Sequence, residues 1–235
     1  MNQPSAPSNP LPQPTTGDHV HLVVKAAISA IPVAGGPAAE FFAAVLAPPL
    51  SKRREEWFSG LAAELADIAA KVEGFSVEAL VDDEAFISAA MEASHAAQRT
   101  HRKEKLEALR NAVLNVAIGR GPEEEEQTVF LGWIQDFTTW HLKILDLYRH
   151  TEQRANAVGL NAYQIVGAPE QVLLAVYPQL ANQRESYDRI VTDLHQRGLF
   201  STSSLHGMMS GQGIVAKRTT GLADRFLDFI TVPGQ

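Results

Sequence analysis

Apolar side chains recur every three or four positions along most of the chain, which is the spacing of one face of an α-helix. None of the long segments up to Leu147 alternates apolar and polar residues with the period of two that a half-buried strand shows. The pattern therefore predicts an all-α, multi-helix bundle. Two stripes are clearest: Trp57, Leu61, Leu65, Ile68 and Val72, and, in a helix predicted to start at Pro122, Phe130, Trp133, Phe137, Trp140, Ile144 and Leu147.

Proline, glycine and short polar residues predict where the first helices begin and end. Asp18 is the expected N-cap of a helix that ends before Pro32. A second short helix is expected to stop at Pro48-Pro49, and Ser51 to cap the long helix that carries Trp57. Gly74 is its expected C-terminal stop, because glycine tolerates the left-handed conformation there.

The last third of the chain has a different pattern. Two helices are predicted near Pro169–Leu180 and Arg184–Arg197. The glycine-rich and Ser/Thr-rich segment Leu199–Arg218 then predicts a short β-hairpin with a flexible tip. Thr219 or Thr220 caps a final helix. This order of helices and hairpin is typical of a winged-helix module.

These features predict three regions. Residues 1–17 form a Pro-rich arm without charged or aromatic residues, expected to be disordered because it has little to bury. Residues 18–150 form the helical bundle. Residues 151–235 form the winged-helix-like subdomain, packed on the bundle.

Composition narrows the classes of function. The chain has 235 residues, a formal charge of −7 and no cysteine. The missing thiols exclude disulfide scaffolds, cysteine-ligated zinc, iron–sulfur clusters and cysteine nucleophiles. No Lys or Arg precedes Lys25, so a basic signal-peptide start is absent, and the apolar window Ala26–Leu50 is too broken to span a membrane. We expect a cytoplasmic protein.

The motifs of common enzymes are missing from the sequence. It contains no H-E-x-x-H, no G-x-S-x-G, and no Lys-Ser/Thr after the glycines at 207–213. The pair His19 and His21 falls on different faces of a helix, so the two rings do not converge on one ion. We therefore predict no catalytic residue, no metal site, no cofactor and no enzymatic activity.

One segment supports two interpretations. The Ala/Gly/Pro-rich hairpin Ala26–Leu50 is followed directly by Lys52, Arg53 and Arg54, and then by Trp57. Cations in a first helical turn oppose the helix dipole, so they call for a partner such as Glu55 or Glu56, a protein groove or an anionic membrane. A buried core hairpin is the preferred interpretation, and membrane docking is the alternative.

Nucleic-acid binding is a minor interpretation. A recognition helix at Arg184–Arg197 would place Arg189 and Arg197 in a groove, with Lys217 and Arg218 as wing contacts. Carboxylates on the same helix argue against nucleic-acid binding, because they cancel the electrostatic attraction to phosphate. These carboxylates belong to Glu185, Asp188 and Asp193.

Two resemblances add to this picture. The runs R-G-L-F at 197–200 and R-T-T-G-L-A-D-R-F-L-D-F-I at 218–230 resemble winged-helix tails, with Ala223 where that pattern has glycine. The turn at 32–37, the helix K-L-E-A-L-R-N-A-V-L-N at 105–115 and the helix W-H-L-K-I-L at 140–145 resemble bacterial helical proteins without an established activity. The resemblance implies an architecture and no reaction. We expect a non-enzymatic protein that binds another protein or itself, with a membrane-docking effector and a weak DNA-binding regulator as alternatives.

Overall fold

The computed structural model describes residues 47–160 and 166–233, with side chains from Leu50 onwards. These residues fall into two compact units, one ending at Ile87 and one beginning at Ser88. The predicted boundary between residues 150 and 151 lies inside the second unit. The predicted arm (1–17) and the first two predicted helices, apart from Ala47, lie outside the described residues.

The first unit contains the long helix predicted around Trp57. Helix α1 (Ala47–Lys71) begins four residues before the predicted cap at Ser51, with Pro48 and Pro49 in its first turn, where no intrahelical N–H is needed. Trp57, Leu61 and Leu65 are buried, which confirms the first three positions of the stripe, whereas Ile68 is half-buried and Val72, which follows the end of α1, is 47% exposed. Gly74 has a φ of 83°, as the predicted C-terminal stop requires.

A 3-10 turn (Glu78–Asp82) leads into α2 (Glu84–Gln98), which crosses the boundary between the units. The described residues of the second unit then continue with eight α-helices, one 3-10 turn and two short strands. In chain order they are α3 (Lys103–Ala117), α4 (Glu124–Asp136), α5 (Thr139–Arg149), α6 (Thr151–Ala157), β1 (Val166–Gly167), α7 (Glu170–Val176), the turn Pro178–Leu180, α8 (Arg184–Gln196), β2 (Met209–Ser210), α9 (Gly211–Val215) and α10 (Gly221–Ile230). Together with α1 and α2 these elements confirm the all-α, multi-helix prediction.

The second apolar stripe forms two helices instead of one. Phe137 and Thr138 are extended, with ψ of 142° and 165°, so the chain breaks between α4 and α5. The break is stabilised because the Thr138 N–H donates to Nδ1 of His141, at 3.2 Å. A first-turn side chain thus satisfies a backbone group at the start of α5.

Helix α10 closes the core of the second unit by packing against α3 and α5. Its Phe226 ring lies 5.4 Å from Phe130, 5.7 Å from Trp133 and 5.9 Å from Phe137, in edge-to-face arrangements. Such aromatic pairs are stabilising beyond the area that they bury. The predicted stripe residues of α4 therefore meet the predicted inner side of the last helix.

Strand pairing near the C-terminus differs from the predicted hairpin at Leu199–Arg218. β2 pairs antiparallel with β1, so that Val166 faces Ser210 and Gly167 faces Met209. The ends of the segment meet in one antiparallel bridge, between Phe200 and Thr219. Helix α9 occupies part of the predicted hairpin, because Ile214 and Val215 are buried and the following residues bind its C-terminal carbonyls.

The ends of α8 and α10 agree with the sequence prediction. After α8, the N–H of Leu199 bonds to the carbonyl of Leu194, and Gly198 has a φ of 75°. This is the glycine-terminated motif expected at Gly198. At the start of α10, Oγ1 of Thr220 accepts a hydrogen bond from the N–H of Ala223 at 3.2 Å. Of the two predicted caps, Thr220 is the one used.

Candidate interaction surface

The basic segment at the start of α1 is split between surface and interior. Lys52 and Arg53 are exposed, whereas Arg54 is buried and Trp57 is only 3% exposed. Nζ of Lys52 lies 3.7 Å from a carboxylate oxygen of Glu56, which is one of the partners considered for these cations. The four residues therefore do not form one common surface.

The preceding hairpin, Ala26–Leu50, lies outside the described residues except for its last four positions, which belong to α1. Among the helices that the structure describes, none has the length and apolar character needed to cross a bilayer.

The four candidate nucleic-acid contacts also have different environments. Arg189 is exposed on α8. Arg197 is held by Asp193 at 3.2 Å and by Asp136 at 3.6 Å, with its guanidinium 5.1 Å from the centre of the Phe137 ring. Lys217 forms an ion pair with Asp224, and Arg218 is buried. Lys217 and Arg218 are therefore neighbours in sequence but do not share a surface, because only Lys217 is exposed.

A cluster that sequence reasoning missed surrounds His206, in the loop before β2. Its Nδ1 is bonded to Oε2 of Glu170 in α7, and its Nε2 lies 2.7 Å from Oδ1 of Asp188 in α8. The phenol of Tyr187 donates to the other oxygen of Glu170 at 3.1 Å. The His206 ring thus joins a loop to two helices through carboxylates at both of its nitrogens, and we call this cluster the His206 clamp.

The geometry of this clamp limits its chemistry. Both nitrogens of His206 are occupied by carboxylates, so neither faces a substrate position as a general base must. The two carboxylates lie at opposite sides of the ring and do not converge on one point. Burial and the hydrogen bond to Glu170 raise the pKa of Tyr187 to about 12, which keeps the phenol protonated. No three potential metal ligands converge anywhere in the part of the chain described.

A second histidine, His141 at the start of α5, is bound internally at both nitrogens. Nδ1 accepts from the N–H of Thr138, so the proton of the neutral ring is on Nε2, which faces Oδ2 of Asp193 at 3.3 Å. The ring stacks on Phe137, with centroids 4.8 Å apart. Burial lowers the pKa of His141 despite the opposing effect of Asp193. Both ring nitrogens of His141 therefore face protein groups inside the second unit.

Arg218 is a buried cation that binds carbonyl groups. Its guanidinium donates to the carbonyls of Gly213, at 2.7 Å, and of Ala216, and lies 5.6 Å from the centre of the Tyr148 ring. Burial lowers the pKa of Arg218. The side chain closes the end of α9 and supports Met209, whose Sδ accepts a hydrogen bond from Nη2 at 3.3 Å.

Large apolar side chains are exposed in and next to the two-stranded sheet. Val166 is 71% exposed and Met208 is 72% exposed, the highest values among the exposed large hydrophobic residues described. Val166 faces Ser210 across the sheet, and Met208 directly precedes β2, two positions before Ser210. We call these two side chains the Val166–Met208 patch.

A polar depression of about 780 Å³ lies between the end of α5, the start of α6 and the end of α9. Its lining includes the cations Arg149 and Lys217, the carboxylate of Glu152, and neutral polar and apolar side chains. Both cations are already bound to carboxylates of α10: Arg149 to Asp228 at 2.5 Å, and Lys217 to Asp224. The depression therefore lacks the uncompensated positive charge that an anion site requires.

Comparison of this chain with protein-family models, with curated proteins and with solved structures finds no match. The site must therefore be interpreted from its own geometry. The sequence does contain one signal for the patch: Met208 and Met209 stand between glycines 207 and 211, in a segment with few other large side chains. The other member of the patch, Val166, lies 42 positions before Met208, and no local pattern in the sequence points to it.

Proposed function

We propose that this protein is a non-enzymatic interaction protein that binds a short, extended peptide segment of a partner at the edge of its two-stranded sheet. The observation that carries the proposal is the exposure of Val166 and Met208, at 71% and 72%, beside strands of two residues each. As part of the same proposal, we predict that the protein is cytoplasmic and that α8 and α10 play the role of helices in a winged-helix module.

The size of the patch decides between a peptide and a second folded domain. A stable protein dimer buries about 800 Å² on each partner. Two side chains supply only a fraction of that area. An extended peptide needs less apolar surface, because its main chain pairs with the edge of a sheet while alternate side chains contact the exposed residues. Methionine suits such a surface, since its flexible thioether adapts to different partner side chains.

The experiment is selection of a random peptide library, displayed on phage, on the immobilised full-length chain. We expect the enriched peptides to alternate apolar and polar residues, as an added strand would. Synthetic versions are then titrated against V166D and M208D, and each change is expected to weaken binding by at least about tenfold, because an aspartate is desolvated against an apolar peptide.

V129D is the matched control. Val129 is also a well-exposed valine, at 47%, but it lies on α4. Its variant should bind the peptides as tightly as the wild type. Enriched peptides that bind V166D and M208D as well as the wild type would contradict the proposal, as would a library that yields no binder. A dimer that M208D dissociates would point to self-association in place of a partner peptide.

Membrane docking is the second candidate function, and the exposure of Lys52 and Arg53 at the start of α1 favours it. Both cations are exposed to solvent, with Lys52 in an exposed ion pair with Glu56, whereas Arg54 and Trp57 are buried. Co-sedimentation with vesicles of mixed anionic and zwitterionic lipid tests it, comparing the wild type with K52E/R53E. The charge reversal should abolish binding. If the wild type itself fails to sediment with vesicles of any composition, membrane docking is excluded.

A further inference from the structure

Methionine provides all the sulfur chemistry of this chain. The sequence has four methionines and no cysteine, so no thiol competes for an oxidant. Met1 lies outside the described residues. Of the other three, Met208 is 72% exposed, while Met91 and Met209 are nearly equal at 38% and 37%.

The two half-exposed methionines differ in what their surroundings contain. Met209 packs against the backbone of α9: a Cβ atom added at Gly213 would lie 3.4 Å from Sδ of Met209. The same sulfur accepts a hydrogen bond from Nη2 of Arg218 at 3.3 Å. The other hydrogen-bond partners of that guanidinium, within the residues described, are backbone carbonyls and not carboxylates. Met209 therefore lies next to a positive charge that no neighbouring carboxylate cancels.

From these contacts we infer that Met208 is a methionine-oxidation site for hydrogen peroxide and that Arg218 protects the adjacent Met209. A sulfur lone pair of Met208 attacks one peroxide oxygen, an S–O bond forms and the O–O bond breaks. The departing hydroxide takes the proton of the transferred oxygen and leaves as water. The thioether is oxidised by two electrons to the sulfoxide, and the peroxide is reduced.

The expected difference in oxidation rate between Met208 and Met209 follows from electrostatics. Positive charge develops on the sulfur as it attacks the peroxide, and a guanidinium at hydrogen-bond distance opposes that charge. The hydrogen bond also occupies one sulfur lone pair, since methionine sulfur is a weak acceptor. Met208 has neither restraint, and its exposure gives the oxidant access. The inference does not depend on the proposed peptide binding, although a sulfoxide at Met208 would make that surface polar.

The test is a time course of the full-length wild type in hydrogen peroxide, followed by trypsin digestion and tandem mass spectrometry. Met91 falls in the peptide 72–99, and both Met208 and Met209 fall in the peptide 198–217, where fragment ions separate the two positions. The variant M208L leaves Met209 as the only methionine of that peptide and gives its rate without overlap.

We expect Met208 to be oxidised fastest and Met209 to be oxidised at least about fivefold more slowly than Met91, in spite of their equal exposure. In concentrated guanidinium chloride the three rates should become similar, because the contrast depends on the fold. The inference is overturned if folded Met209 reacts as fast as Met91, or if Met208 reacts no faster than Met91.

A second variant examines the role of Arg218 directly. R218Q removes the positive charge and shortens the side chain, so the Met209 sulfur loses the cation that opposes its reaction. With circular dichroism confirming that the variant is folded, oxidation of Met209 should accelerate towards the rate of Met91. An unchanged slow rate in folded R218Q would show that packing alone shields Met209 and would remove Arg218 from the inference.

Discussion

At the scale of single residues, His141 links stability to pH. Burial lowers the pKa of His141 in the folded chain, and the charged groups facing it are Asp193, which opposes the shift, and Arg197 and Lys105, which add to it. The folded state thus binds a proton less readily than the unfolded chain, whose histidine pKa is about 6.5. The stabilising contribution is fully present above that value and is lost as the pH falls towards the folded-state pKa.

Urea unfolding between pH 8 and pH 5 checks this prediction, with H141Q as the non-titrating comparison. The free energy of unfolding of the wild type should fall more steeply below about pH 6.5 than that of H141Q, because only the wild type gains a proton at this position on unfolding. Parallel pH profiles for the two proteins would show that His141 titrates alike in the folded and unfolded states.

Arg218 and Lys217 are adjacent in sequence, and their predicted effects on stability differ. R218A should lower the free energy of unfolding by about 2 to 4 kcal/mol, because it leaves buried carbonyls at the end of α9 without donors and opens space beside Tyr148. K217A removes a half-exposed ion pair with Asp224 and should cost less than about 1 kcal/mol. Chemical denaturation of both variants gives the two values, and equal losses would contradict the buried role of Arg218.

At the scale of elements, two asparagines of α3 hold the C-terminal end of α10. Nδ2 of Asn115, which is buried, donates to the carbonyls of Phe229 and Thr231, both at 2.9 Å. Nδ2 of Asn111, one turn earlier, donates to the carbonyl of Ile230 at 2.9 Å. The last carbonyls of a helix have no intrahelical donors, so these side chains replace water at a buried helix end.

We therefore expect N115A to lower the free energy of unfolding by about 2 kcal/mol and N111A by about 1 kcal/mol. N156A is the control, since Asn156 is exposed on α6 and its replacement should stay within about 0.5 kcal/mol. Hydrogen exchange adds a local readout: amides in the last turn of α10 should lose protection in N115A first. A loss in N115A no larger than in N156A would exclude the capping role.

These elements also show how far sequence patterns reach. The period of apolar residues predicted the buried sides of α1, α4, α5 and α10, because it depends only on neighbours within one helix. The break at Thr138 was missed, although the side chain that stabilises it, His141, is three residues away. The partners of Asn115 and His206 were also missed, because they lie at distant positions that only the tertiary structure brings together.

The small sheet shows the same limit for strands. A glycine-rich segment flanked by apolar residues predicts a local hairpin, since turn residues are the signal that sequence provides. The segment instead pairs with Val166–Gly167 and forms a helical turn, with Arg218 binding its carbonyls. Lys217 and Arg218 were predicted to be surface contacts only because both residues are charged. Burial of Arg218 follows from long-range packing.

At the scale of the whole molecule, the second unit contains a complete core of its own. Its aromatic cluster joins α4 to α10, and α3 and α5 both contact α10. The preceding α2 has its own N-terminal cap, because a carboxylate oxygen of Asp83 accepts from the N–H of Phe86 at 3.0 Å. A fragment that begins at Asp83 therefore keeps α2 whole and includes every element of the second unit.

We predict that the fragment 83–235 folds cooperatively without residues 1–82. Its circular dichroism should be helical and its urea transition a single step. F226L provides the quantitative check: it removes part of a ring that contacts Phe130, Trp133 and Phe137, and should lower the free energy of unfolding by about 1 to 2 kcal/mol in the fragment and in the full chain alike. A clearly larger loss in the fragment, or a gradual transition, would mean that the core around Phe226 depends on the first unit.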